Sequence, residues 1–121
     1  MGKTGLINYK GTDIYYMDFS KLNSKRRILK IIEKSKTYIR SQPHNSLITL
    51  TNISKMHFNS EIKELFTDFV KGNKPYVRAG AVVGIAGLQS IVYNAVMRIS
   101  GRNLKAMKSI DEAKEWLVNN G

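Results

Sequence analysis

The sequence predicts an α/β fold, a mainly parallel sheet of four to five strands with four helices against it, in the order β-β-α-β-α-β-α-β-α. Three observations predict it. Two β-rich runs at the start flank Gly11-Thr12-Asp13, which reads as a hairpin turn. From Ser24 onward, stretches of helical period alternate with short β-rich runs, the pattern of parallel strands joined by crossover helices. The length of 121 residues with 42% apolar composition suits a single domain, 1–121, around one core.

The elements follow in order. Leu6 to Lys10 is a short strand, and Ile14-Tyr15-Tyr16-Met17-Asp18-Phe19 is its hairpin partner. Ser24 is the candidate cap of the first helix, which runs to about Ser41 and is stopped by Pro43. Ile28, Ile31, Ile32, Ser35, Tyr38 and Ile39 form its inner stripe, with Arg26, Lys30, Thr37 and Arg40 opposite. Ser46 to Ile53 is the third strand. The second helix begins at Asn59 or Ser60 and carries Ile62, Leu65, Phe66, Phe69 and Val70 at helical spacing, ending at Gly72-Asn73.

Tyr76 to Val83 reads as a central strand, nearly all apolar from Ala79. The third helix places Leu88, Ile91, Val92, Ala95, Val96 and Ile99 on its core side and stops at Gly101. Leu104 to Lys108 is the last strand. Ser109-Ile-Asp-Glu112 is a capping box opening the fourth helix, which buries Ala113, Trp116 and Leu117. Ala79 to Ile99 is about long enough to span a bilayer, but its glycines, its polar residues and its change of period favour a buried strand followed by a helix.

Composition excludes several classes of function. There are no cysteines, so disulfides, thiolate metal sites and cysteine nucleophiles are ruled out. Met1-Gly2-Lys3-Thr4-Gly5 has no apolar signal region, and a cytoplasmic location is expected. Gly2-Lys3-Thr4 echoes the end of a P-loop but lacks the upstream strand and glycine that a phosphate cradle needs. His44 and His57 lie in separate loops without metal-binding spacing. The carboxylates sit mostly on exposed helix faces. Asp18 alone is placed like a site residue, and it also suits a turn acceptor at Phe19-Ser20. No catalytic residue, metal ligand or cofactor is expected.

The net charge is +11, and Lys21 to Arg40 holds eight bases (Lys21, Lys25, Arg26, Arg27, Lys30, Lys34, Lys36, Arg40) against Glu33 alone. A basic face of Arg26, Arg27, Lys30, Lys34 and Arg40 attracts an anionic ligand or an acidic membrane surface, and it equally serves solubility. Specific nucleic-acid recognition is not expected, because no stacking aromatics or recognition motif accompany the charge. Gly84-Ile-Ala-Gly87 joins a buried strand to a helix start, where free N–H groups favour an anion. Tight strand–helix packing would equally call for glycine there. On the third helix, Tyr93 and Met97 are read as pointing away from the core beside Ser90 and Asn94. That makes them a partner surface, for another protein or for a second copy, unless a loop or the hairpin covers them.

Two segments carry a family resemblance. Ala81-Val-Val-Gly-Ile-Ala-Gly-Leu88 runs into Tyr93-Asn-Ala-Val96 and Ser100-Gly-Arg102, and Asp111-Glu-Ala-Lys-Glu-Trp-Leu117 closes the chain. With the element order, they resemble the STAS domain of bacterial anti-sigma-factor antagonists, and more closely its small stand-alone bacterial members. The resemblance implies a non-enzymatic regulatory or binding module acting through protein–protein contacts. It also implies a phosphorylated serine at the start of the helix after the third strand. Ser60, within His57-Phe-Asn-Ser-Glu-Ile62, is the stand-in, although the family's Asp and Gly are missing here. The lipid-binding side of the same superfamily implies the alternative, a sensor or carrier of a small or lipidic anion.

Overall fold

A computed structural model of the chain describes residues 4–121, so the readings on Gly2 and Lys3 lie outside the described residues. The fold class is the expected one: α/β, with a five-stranded, mostly parallel mixed sheet and four helices. The elements are β1 (Gly5–Tyr9), β2 (Thr12–Asp18), α1 (Lys25–Ile39), β3 (Leu47–Asn52), α2 (Ser60–Asn73), β4 (Val77–Val83), α3 (Leu88–Ser100), β5 (Lys105–Met107) and α4 (Ile110–Asn120). The strand and helix ends differ from the sequence reading by a residue or two, the usual play at element boundaries. Ala79 to Ile99 is broken into β4 and α3 by Gly84–Gly87.

The sheet order is β1-β2-β3-β4-β5. The β1–β2 hairpin is antiparallel, and every later pairing is parallel. This order decides where the helices go. Each βαβ crossover steps in the same direction, and crossovers are right-handed, so α1, α2 and α3 must share one face. α4 follows the last strand and covers the other. The strands alternate accordingly. Tyr15, Met17, Phe19, Ile53 and Val82 join the core under α1–α3, while Ile14, Leu50, Ala81 and Val83 meet Ala113 and Leu117 of α4.

Local chemistry fixes the helix starts. Ser24 accepts from Arg27 N–H, Asn59 from Ile62 N–H and Ser109 from Glu112 N–H, satisfying donors that a first helical turn leaves free. α1 stops near Pro43, and Gly101 ends α3 in the left-handed conformation (φ 72°). Tyr38 stacks on Tyr15 with ring centroids 4.7 Å apart.

One face was read wrongly from sequence. Tyr93 and Met97 do not point away from the core. They are half-buried and packed against it, and Ile91 and Ile99, assigned to the core stripe, are 67% and 56% exposed. The inner side of α3 is centred on Val92, Val96 and Ser100. Polar contacts set this rotation. Gln89 Nε2 donates to Met56 O (2.8 Å), the Tyr93 hydroxyl donates to Leu104 O, and Leu104 N–H points at Met97 Sδ. Ser100 Oγ accepts from Arg102 N–H. Val92 and Val96 suit either rotation, so the apolar pattern alone did not decide it.

α4 is tied to the edge strand β1 by a small polar cluster. Glu115 accepts from the Tyr9 hydroxyl and pairs with Lys10. The Lys10 ammonium, followed by the Tyr9 hydroxyl, holds the Glu115 carboxyl below its ordinary value. A carboxylate with a lowered folded pKa stabilises above its unfolded pKa, and the stabilisation fades as pH falls through the folded value. Glu115→Gln should therefore lower the melting temperature slightly at pH 7 and not at all in strong acid, where wild type and variant converge. A deficit that persisted unchanged into strong acid would show that the charge of Glu115 is not what stabilises.

Candidate functional site

The carboxyl ends of the parallel strands gather three loops, Phe19–Ser24, Ile53–Asn59 and Gly84–Gly87, at one end of the sheet. In doubly wound folds the ligand crevice opens where the strand order reverses. Here the order runs straight through, and the loops bond to one another instead. Lys21 N–H donates to Ser54 O (2.8 Å) and His57 N–H to Leu22 O (2.9 Å). Lys21 and Lys55 both take left-handed backbone conformations (φ 61° and 56°) at this junction. Gly84 (φ 90°) lies against the Ser54 backbone, where an added Cβ would fall 2.6 Å from Ser54 Cα. Gly84 thus packs against a neighbouring loop, where the sequence offers strand–helix packing or an anion. Gly87 is open and exposed, and α3 starts there without a side-chain cap.

One polar side chain at this end closes its own turn. Asp18 accepts from Ser20 N–H (3.0 Å) and from its hydroxyl (2.6 Å), the turn-acceptor geometry. His57 is exposed here, whereas His44 lies at the other end of the sheet, before β3, exposed and edge-on to Tyr76. Ser60 is exposed in the first turn of α2, next to a Lys25–Glu61 ion pair of 2.6 Å. Among the described residues, no three of the His, Asp and Glu side chains are grouped to hold a metal ion. No described helix is long and apolar enough to cross a membrane.

The five residues of the expected basic face, Arg26, Arg27, Lys30, Lys34 and Arg40, are all exposed. Lys34 Nζ donates to Thr4 O (3.2 Å). Arg40 is turned onto α2. Its Nε donates to Asn73 Oδ1 (3.3 Å), and its guanidinium carbon would lie 2.7 Å from a Cβ on Gly72. Small Gly72 lets the arginine lie across the helix, and Arg40 is exposed there like the other four.

Two features escaped the sequence reading. The first is the outer face of α3, where Ile91 and Ile99 lie two turns apart, with half-buried Ala95 between them and exposed Arg98 beside Ile99. Ser90 donates to Gly87 O, and Asn94 is exposed near the boundary of this face. The second is a cavity of about 50 Å³ between α2, α3 and the sheet. Phe66, Phe69, Val92 and Val96 form apolar walls, and Tyr93 and Arg102 line it too. Arg102 Nη1 donates to Val70 O (2.6 Å) in the last turn of α2, where the Lys74 N–H turns to Lys71 O instead. Burial weakens the guanidinium to about 10, so it stays charged at neutral pH. The one sequence signal for Arg102 was its place directly after the helix-ending Gly101. No protein-family model, no curated protein and no solved structure matches this chain.

Proposed function

We propose that this chain is a non-enzymatic regulatory or binding module acting through protein–protein contacts, with the outer face of α3 as its contact surface. The exposure of Ile91 and Ile99 on one side of one helix carries the reading. Single exposed apolar residues are ordinary, but two large ones aligned along a helix form a strip that a partner can cover. Burying each contributes roughly 1.5–3 kcal/mol. The partner should be acidic. The chain carries +11, and Arg98 sits within the strip, so a second copy would be repelled where an acidic surface is attracted.

The STAS-like ancestry, the modification of Ser60 and the cytoplasmic location belong to the same proposal. The element order, the exposure of Ser60 and the absence of cysteine support them. A second reading, weak contact with an acidic surface, draws on Arg26 and Arg27. Both sit in the first turn of α1, where the helix dipole disfavours cations unless an anion faces them.

The test uses a photo-crosslinking residue at position 91 or 99, and at exposed Glu64 of α2 as reference, in cells that make the protein. The expected result is one discrete adduct with an acidic protein from positions 91 and 99. It should be absent at position 64 and lost in Ile91→Glu with the crosslinker at 99. Equal labelling from all three positions, or none from any, overturns the proposal, as does an adduct that is only the homodimer.

A further inference from the structure

We propose that the outer side of α1 and the neighbouring Leu6 form one docking face for an anionic lipid bilayer. The proposal rests on the second reading above, contact with an acidic surface, and gives that surface its chemistry.

The charges on α1 are sorted by direction. Ile28, Ile32, Ser35 and Ile39 are buried and set the inward side of the helix. At ~100° per residue, Arg26, Lys30, Lys34 and Arg27 then fall within an arc of about 100° that faces outward and toward β1. All four are exposed, and among the described residues none of them has an ion-pair partner. The opposite flank, toward α2, is neutralised or engaged. Glu33, the one acid of the helix, pairs with Lys36 (3.4 Å), Lys25 pairs with Glu61 of α2 (2.6 Å), and Arg40 donates to Asn73.

Leu6 adds an apolar point beside this row of cations. It pairs with Tyr15 in the β1–β2 register, so it stands on the side of the sheet where the Tyr15 hydroxyl donates to Ser35 of α1. Lys34 Nζ reaches Thr4 O, two residues before Leu6. At the edge of the sheet, Leu6 is 53% exposed.

That combination selects a bilayer. The bases are strung along ~12 Å of helix rather than converging on one point, which matches a sheet of negative charge better than a single phosphate. Anionic headgroups attract such a row. The aliphatic stems of Lys and Arg let their charged ends stay at headgroup level while Leu6 enters the acyl boundary. Duplex nucleic acid would meet the same charge but offers Leu6 nothing, and Tyr38 at this edge is already stacked on Tyr15. The straight strand order puts α2 between α1 and α3, so the lipid face and the Ile91–Ile99 strip lie on opposite flanks. A protein partner could thus be held beside the bilayer.

Full-length protein is titrated with vesicles of phosphatidylcholine mixed with phosphatidylserine, and of phosphatidylcholine alone. It should bind the mixed vesicles only, and less tightly as salt rises. The chain has no cysteine, so Leu6→Cys or Ile91→Cys takes a single environment-sensitive fluorophore. It should brighten on mixed vesicles at position 6 and not at position 91. Arg27→Gln with Lys34→Gln should weaken binding about thirtyfold. Lys105→Gln with Lys108→Gln removes the same charge at the β5 edge and should weaken it less than about threefold. Leu6→Ser should cost about fivefold. If Lys34→Gln loosens β1, Arg26→Gln with Lys30→Gln carries the same test.

Equal losses in the two double variants would reduce binding to net charge and overturn the face. A fluorophore that brightens at position 91 and not at position 6 would put the bilayer on α3 and overturn it too. Duplex DNA or polyglutamate bound as tightly as mixed vesicles, with Leu6→Ser without effect, would overturn the lipid assignment and leave contact with an acidic surface standing. Binding to none of these would end both.

Discussion

Phe19→Ala should unfold at a much lower urea concentration than wild type, with a loss of about 3–5 kcal/mol. Phe19 is fully buried just past the end of β2. Its ring meets the edge of Phe66 on α2 at 4.9 Å between centroids. Phe66 in turn sits edge-on to Phe58 and Phe69, so four aromatic rings join the first crossover loop, the second crossover loop and α2. Removing one ring leaves a void next to the existing cavity, and the helices can close it only by shifting against the sheet. A domain of this size has about 5–15 kcal/mol in total, so the loss is a large share. The midpoint should fall with little change in slope, which separates a packing loss from a change of the unfolded state. A loss below about 1 kcal/mol would show that the aromatic cluster collapses freely and does not hold the loops.

Gly84→Ala should cost about 2–4 kcal/mol, more than any other single methyl addition in the loops. Two effects combine. The backbone takes a φ of 90°, which residues with a Cβ rarely adopt, and the methyl would press into the Ser54 hydroxyl and also into the Ser54 backbone, which cannot swing aside. Gly87→Ala provides the comparison. Its φ is 55°, but nothing lies within 4 Å of an added Cβ, so only the conformational cost remains. Equilibrium unfolding of both variants checks the order. If Gly84→Ala were no worse than Gly87→Ala, the contact of the two crossover loops would not be rigid.

Most of the fold was legible because its signals are local. The spacing Ile62, Leu65, Phe66, Phe69, Val70 fixes α2 by itself, and Ser109 with Glu112 marks the start of α4. The parallel sheet followed from alternation. The rotation of α3 was not legible, because Val92 and Val96 are shared by two apolar arcs. The choice between Ile91/Ile99 and Tyr93/Met97 rests on where Leu104 and Met56 offer backbone partners. Those atoms are distant in the chain or set by a loop. The bond from Arg40 to Asn73 was not legible for a similar reason: on a helical wheel Arg40 aligns with Arg26, and Gly72 and Asn73 lie on another helix. The place of Arg102 after Gly101 did not reveal its burial, which is a property of α2 and α3 together.

The straight strand order has a consequence for biosynthesis. With three helices confined to one side, the apolar side chains of Ile14, Leu50, Ala81 and Val83 wait for α4, the one described helix on the other side. A nascent chain that has emerged as far as β5 would thus carry a bare greasy slab, open to chaperones and to other unfinished chains, until Ala113 and Leu117 leave the ribosome and close it. Yield in the cell should therefore depend on how quickly α4 docks once it has been made.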